Sequence, residues 1–419
     1  MKNNCLEIIG GNKLYGSIRN QTSKNATLPI MSASILSSGV VELRDMPDIT
    51  DIDNMISILE GLGAFVDRQG SIIKIDPENV RNDQISESLS KSMRSSVFLL
   101  GSMLSRFKSM RLCLPGGCQI GSRPIDIHIN SLKRLGVRVA EHCDSISFDA
   151  SNAKCGRVRL RLPSVGATEN LIEFACLLPG KTIILNPARE PEIVDLANFL
   201  NKMGAKILGA GTKKITIYGV DRLKGTIYTP MGDRIVSGTI MTAVAIAGGD
   251  VTITNACPYQ SEKIIKILCS LGCQIDIKND IIHITKDQDL SSNISLATDY
   301  YPGFPTDMQS MILALASVVD GKTIIKEKIF ENRFLTVREL QRMGANITIL
   351  SNRKVLVRGV RRLSGCEVEA LDLRGGASLV LAGLKAEGKT IIHNVHFIDR
   401  GYDHIEDMLT SLGADIRRI

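Results

Sequence analysis

A cysteine held among glycines, six cations in loops and two aspartates at expected helix starts are where this chain could do chemistry. Cys118 lies in Pro115-Gly-Gly-Cys-Gln-Ile-Gly-Ser-Arg-Pro124. Glycines there permit an unusual backbone. Arg123 and a following helix start favour thiolate, so the thiol could act as acid or nucleophile near neutral pH. Lys24, Arg94, Arg123, Arg333, Arg374 and Arg400 stand at the starts of expected helices. Guanidinium forks take carboxylate and phosphate through paired hydrogen bonds, so several converging on one cleft imply a substrate carrying both groups. Asp307 and Asp372 each head an expected buried helix, where Asp either caps the helix or does chemistry. Spacing alone leaves both readings open.

The elements that must hold these residues recur six times. The tag is a helix end running into a strand, at Gly63, Gly136, Gly204, Gly272, Gly344 and Gly413, 68 to 73 residues apart. Glycine there fits a left-handed helix C-cap. Gly10, Leu14 and Gly16 match Gly219, Leu223 and Gly225, and again Gly359, Leu363 and Gly365. The first strand therefore completes the last copy. Each copy reads as a buried helix, a strand, a loop, an amphipathic helix and two strands. The buried helices include Ala26 to Ser37, Gly238 to Ala247 and Ala377 to Ala386, which are small or apolar on nearly every side. The chemically suggestive residues sit before helix starts, where free N–H groups attract anions. A pseudo-symmetric, two-domain α/β protein is expected, with three repeats per domain.

Bulk properties narrow the function. At 419 residues, two domains are expected. The opening residues lack a signal core, and no apolar run reaches the ~18 residues of a membrane span. A cytoplasmic protein with no membrane partner is expected. Ten scattered cysteines, none in a Cys-x-x-Cys pair, read as reduced thiols rather than disulfides or zinc ligands. The six histidines make no metal spacing and read as structural. A net charge of +7 without basic clusters suits small anions over nucleic acid.

Taken together, Lys24-Asn25, the Cys118 loop, Ser164-Val-Gly-Ala-Thr168, Ala188-Arg-Glu-Pro-Glu192, Phe304-Pro-Thr-Asp-Met-Gln309, Glu331-Asn-Arg-Phe334, Asp372-Leu-Arg374 and Asp399-Arg-Gly-Tyr402 resemble the enolpyruvyl transferases that act on UDP-N-acetylglucosamine. The resemblance covers the whole chain and is most specific in the Cys118 loop and Phe304-Pro-Thr-Asp307. It implies a two-domain inside-out α/β barrel closing over UDP-N-acetylglucosamine and phosphoenolpyruvate, with no metal and no organic cofactor. With the repeat phase, it divides the chain into 24–232, carrying a mobile Cys118 loop, and 1–23 plus 233–419, with the active site in the interdomain cleft. The implied reaction moves the enolpyruvyl group to the sugar 3-hydroxyl and releases phosphate, the first committed step of peptidoglycan synthesis. Fosfomycin is the implied inhibitor.

Carried over by residue, Lys24, Arg123 and Arg400 would hold the phosphate of phosphoenolpyruvate, and Arg333 and Arg374 its carboxylate. Cys118 would donate a proton or add to the enol carbon, and Asp307 would act on the 3-hydroxyl. Arg94, Pro124, Ile125, Asp126, Ile127, Leu162, Pro163, Ser164, Val165 and Ile329 would line the nucleotide-sugar site. Asn25 would touch both substrates, and Asp372 is grouped with the binding residues. Three positions depart from the family pattern: Thr22 for a usual Gly, Val236 for a usual Glu and Leu335-Thr336 for a usual Met-His. Two alternatives remain, a shikimate-pathway enolpyruvyl transferase, against which the Cys118 loop argues, and a nucleic-acid clamp of α/β repeats. Oligomeric state is not legible.

Overall fold

The computed structural model describes residues 5–81, 97–113, 125–143, 145–288 and 290–419. Of the expected site residues, Arg94, Cys118, Arg123 and Pro124 lie outside them. Backbone proximity separates two compact units, one of 5–21 with 232–419 and the other of the described residues between 22 and 231.

One architecture recurs. Arg157–Arg159 leads through the helix Val165–Cys176 to Lys181–Leu185, which runs parallel to it. Such a parallel crossover needs a long connection, supplied here by the helix. The helix Pro191–Lys202 follows, with proline in its first turn, where its missing N–H costs nothing. Lys206–Leu208 and Lys214–Tyr218 then close an antiparallel hairpin on the same sheet. Five sheets have four strands, and the sixth shows three among the described residues. The leading parallel strand is absent from the sequence-derived repeat. Three residues at Arg157–Arg159 and Glu367–Glu369, and two at Ile227–Tyr228, are too few to show an alternating pattern.

All six marker glycines have positive φ, between +88° and +114°. At Gly63 a Cβ would also meet the Asn79 carbonyl oxygen at 2.5 Å, so a side chain is excluded twice over. Cys5–Ile9 lies between Lys389–His393 and Asp415–Arg418, antiparallel to both, so the first strand finishes the last sheet. The strand before each crossing between units stays in the unit the chain leaves. Leu14–Arg19 pairs with Gly249–Thr254, although the next helix, Lys24–Ala33, belongs to the other unit. Ile227–Tyr228 likewise pairs with Val41–Leu43 before the helix Arg234–Ala247.

Each unit has its own core around helices buried along nearly their whole length. In the unit between 22 and 231 the helix Val165–Cys176 carries two buried carboxyl groups. Neither oxygen of the fully buried Glu169 has a hydrogen-bond partner. Glu173 accepts from Ser32 Oγ at 3.0 Å and from the Ser102 amide at 3.1 Å. Burial raises both well above the usual carboxylate range, and neighbouring carboxylates add to it. An unfolded glutamate ionises near pH 4.3, while these hold their protons in the fold. Stability is therefore full below about pH 4.3 and falls as pH rises above it. Glu169→Gln should remove the penalty. Its calorimetric midpoint should exceed the parent's at pH 8 and converge with it below about pH 4.3, each kcal/mol relieved being worth about 2–4 °C. A difference independent of pH would count against a protonated Glu169.

Candidate active site

Asp307 does not behave as a cap. It lies in the turn Thr306–Met308 ahead of the helix Gln309–Val318, and neither element takes a side-chain cap from its N-cap residue. Its carboxylate instead joins two arginines distant in sequence. Arg333 Nη2 is 2.7 Å from Oδ1, and Arg374 Nη2 is 3.1 Å from Oδ2. The arginine side chains are only 2% and 3% exposed. Phe330 lies 5.8 Å from the Arg333 guanidinium and Tyr402 5.6 Å from that of Arg374, both within cation–π range. Burial works against the Arg374 charge, but Asp307, then Tyr402 and Asp233, outweigh it and hold the guanidinium protonated.

Two guanidinium groups thus share one carboxylate, and their donors are not all used. Arg333 Nε and Arg374 Nη1 are buried without a hydrogen-bond partner. Buried donors are normally paired, so unfilled ones on adjacent cations mark a place for an anion. Asp372 takes the other role open to a helix-heading aspartate. Its Oδ1 accepts from the amides of Arg374 at 2.9 Å and Gly375 at 3.0 Å, capping the helix Leu373–Gly383. Glu327 is a residue that sequence reasoning missed. It is fully buried and accepts from the amides of Ile329 and Phe330 and from Thr306 Oγ1. It thereby ties the segment holding Ile329 to the neighbour of Asp307. A glutamate just past a strand end carries no sequence signal for this.

In the other unit, Lys24 opens the helix Lys24–Ala33, capped by Ser23. Its Nζ is 2.8 Å from Asp51 Oδ2, with both side chains largely buried. Sequence reasoning also missed Asp51, because an acid in the first turn of Thr50–Gly61 reads as an ordinary dipole match. Asn25 is half-buried beside Lys24. Two stretches assigned to a nucleotide sugar meet here. Arg161, just before Leu162, pairs with Asp126 at 3.1 Å. The ring of His128 approaches Gly166, which follows Val165. Ser164 caps Val165–Cys176, while Leu162 and Pro163 precede it at the surface or half-buried. Burial pushes the His128 pKa down to about 4, so its ring is neutral at pH 7.

Arg400 stands exposed between the turn Val395–Phe397 and the helix Ile405–Thr410, in the unit that holds Asp307. The eight cysteines with described side chains are free thiols. Burial raises the thiols of Cys176 and Cys273, the latter to about 11, which makes them poor nucleophiles.

Known proteins resemble the chain throughout. The family model described as EPSP synthase (3-phosphoshikimate 1-carboxyvinyltransferase) matches residues 8–409. UDP-N-acetylglucosamine 1-carboxyvinyltransferase 2 of Caldanaerobacter subterraneus subsp. tengcongensis is 45% identical over 413 residues, 99% of each chain. UDP-N-acetylglucosamine 1-carboxyvinyltransferase of Geobacter metallireducens is 45% identical over 414 residues, again 99% of each. The crystal structure of the enolpyruvyl transferase NikO from Streptomyces tendae superposes with a TM-score of 0.88 at 24% identity, covering 100% of this chain and 99% of that one, a likeness of fold.

The two helix-heading aspartates should differ in what they stabilise. Asp307→Asn leaves two buried guanidinium groups without their shared anion. That should cost about 3 kcal/mol, the low end for a broken buried pair because Asp307 is partly exposed. Asp372→Ala should lose a cap worth about 1 kcal/mol. Urea unfolding measures both, and equal losses would reduce Asp307 to a cap.

Proposed function

The chain belongs to the EPSP synthase family of carboxyvinyltransferases, and we propose that it transfers the enolpyruvyl group of phosphoenolpyruvate to the 3-hydroxyl of UDP-N-acetylglucosamine, releasing phosphate. This is the first committed step of peptidoglycan synthesis, on which cell shape and division depend. The observation that carries the reading is the carboxylate of Asp307 shared between two buried arginines with unfilled donors. Family membership removes the nucleic-acid clamp, and the Cys118 loop argues against 3-phosphoshikimate as the acceptor.

The reaction adds a proton to one enol carbon while the sugar hydroxyl attacks the other. Loss of a proton from the first carbon and of phosphate from the second then restores the enol ether. Cys118 donates the first proton, and Asp307 accepts that of the 3-hydroxyl. Lys24, Arg123 and Arg400 take the phosphate, and Arg333 and Arg374 take the carboxylate. Arg94, Pro124 to Ile127, Leu162 to Val165 and Ile329 serve the nucleotide sugar, with Asn25 at both substrates.

The ion pairs bear on the order of events. Asp307 is held by the same two guanidinium groups that the substrate's carboxylate would engage. A substrate carboxylate that takes over Arg333 and Arg374 would free the Asp307 oxygens from them as the hydroxyl arrives. Among the described residues no helix is long and apolar enough to cross a membrane, which agrees with a cytoplasmic enzyme for these soluble substrates.

Phosphate release should require phosphoenolpyruvate and UDP-N-acetylglucosamine together, with 3-phosphoshikimate inert as acceptor. Arg400→Ala should lower turnover of phosphoenolpyruvate about ten- to a hundredfold, as for one lost charge-assisted contact, and leave nucleotide-sugar binding unchanged. Equal loss for both substrates by calorimetry would remove Arg400 from the phosphate site.

Fosfomycin, an epoxide phosphonate, should alkylate Cys118 alone among the ten cysteines. Its phosphonate suits the phosphate cations, and Arg123 favours the Cys118 thiolate. UDP-N-acetylglucosamine should speed the reaction. Peptide mass mapping decides it, and adducts spread over several cysteines would refute the selectivity.

A further inference from the structure

The loop that carries Arg400 is fastened from both sides, and the stronger fastening is Arg418. Arg418 ends the strand Asp415–Arg418, whose partner Cys5–Ile9 sets it opposite Leu6. Its Nη1 and Nη2 donate to Asp399 Oδ2 and Oδ1 at 2.9 and 2.7 Å, a bidentate pair. Its Nε donates to Glu406 Oε1 at 2.6 Å, and Nη2 reaches Glu406 Oε2 at 3.1 Å. One guanidinium therefore joins the residue before Arg400 to the helix Ile405–Thr410 that comes after the loop. Glu406 is nearly buried, and Asp399 and Arg418 are about a quarter to a third exposed.

The rest of the loop is held as well. The Gln21 side chain donates to the Gly401 carbonyl at 3.3 Å and accepts from the Asp403 amide at 3.0 Å. A Cβ at Gly401 would lie 2.8 Å from the Leu373 side chain, so the backbone packs directly on the start of the Arg374 helix. Tyr402 is buried, bonded to Thr239 at 2.9 Å and stacked near Arg374. Between Asp399 and Asp403 the exposed side chain is that of Arg400, and the exposed His404 beyond them lies 3.7 Å from Glu406.

We propose that Arg418 is a positioning residue for Arg400, fixing the backbone from which Arg400 reaches the substrate's phosphate. The inference rests on the assignment of Arg400 to that phosphate. A planar fork gripping Asp399 in two bonds fixes direction as well as distance, which a lysine could not do. The same guanidinium on Glu406 references the loop to a helix, so losing it releases Arg400 by small displacements. Clamps on reacting groups are sensitive to shifts of about 1 Å.

A double-mutant cycle on the full-length enzyme tests this. Arg418→Ala should lower kcat/KM for phosphoenolpyruvate about ten- to a hundredfold, with the UDP-N-acetylglucosamine Kd unchanged. In an Arg400→Ala background the same change should cost almost nothing further, since there is no guanidinium left to position. Arg418→Lys should recover little, because it cannot grip Asp399 bidentately. Additive losses, or equal losses for both substrates, would make Arg418 merely structural and overturn the inference. If Arg418→Ala does not fold, Asp399→Asn, which leaves the Glu406 pair intact, carries the same cycle. Were the parent inactive with these substrates, the assigned reaction would fail. The cycle read as affinity for inorganic phosphate would still decide the role of Arg418, coupling supporting it and additivity overturning it.

Discussion

A helix enclosed by protein on nearly every side meets functional partners most readily at its ends, and each unit of this chain is organised around such helices. Arg234–Ala247 has every residue buried, and Leu373–Gly383 nearly so. Their first amides have no partner within the helix and must find one. Ser23, Ser164, Asp233 and Asp372 supply it. The first residues after each cap are then held in place by the packing of the whole helix. That is a rigid mount for a functional side chain.

The mount is used against the local electrostatic rule. Helix N-termini favour acids, yet Lys24, Arg234 and Arg374 stand buried in first turns. A buried cation at the positive end of a helix needs an anion. In this structure Asp51 serves Lys24 and Asp307 serves Arg374 and Arg333. Local rules fail most informatively at functional sites, and both pairs involve residues assigned to the substrate's anionic groups. One carboxylate bonded to two guanidinium groups leaves donors on both unfilled, which is the feature that suits an incoming anion.

The departures from the family pattern have local explanations. Thr22 is buried at the crossing between units, and its Oγ1 donates to the carbonyl of Asp45, whose φ of 57° is left-handed. The hydroxyl thus steadies a turn that a glycine would leave to the backbone. Val236 is fully buried, and its amide is already satisfied by the Asp233 cap. Thr336 is buried with its Oγ1 3.4 Å from the Gly375 carbonyl, next to the Asp372 cap.

The sequence by itself determined what short-range physics controls. Six glycines spaced by one repeat take positive φ because a left-handed C-cap is a property of a few consecutive residues. The helices small or apolar on nearly every side and the phase that sends Cys5–Ile9 into the last sheet were legible for the same reason. Asp307 and Asp372 looked alike in sequence, each heading a buried helix. Only the fold separated them. Asp372 bonds amides two and three residues away, a local matter, whereas Asp307 bonds arginines 26 and 67 residues away. Glu327, Asp51 and the Arg418 brace were hidden likewise, because a side chain's ion-pair partner is set by long-range packing. The shortest parallel strands had too few residues to show a period, and neighbouring strands supplied their conformation.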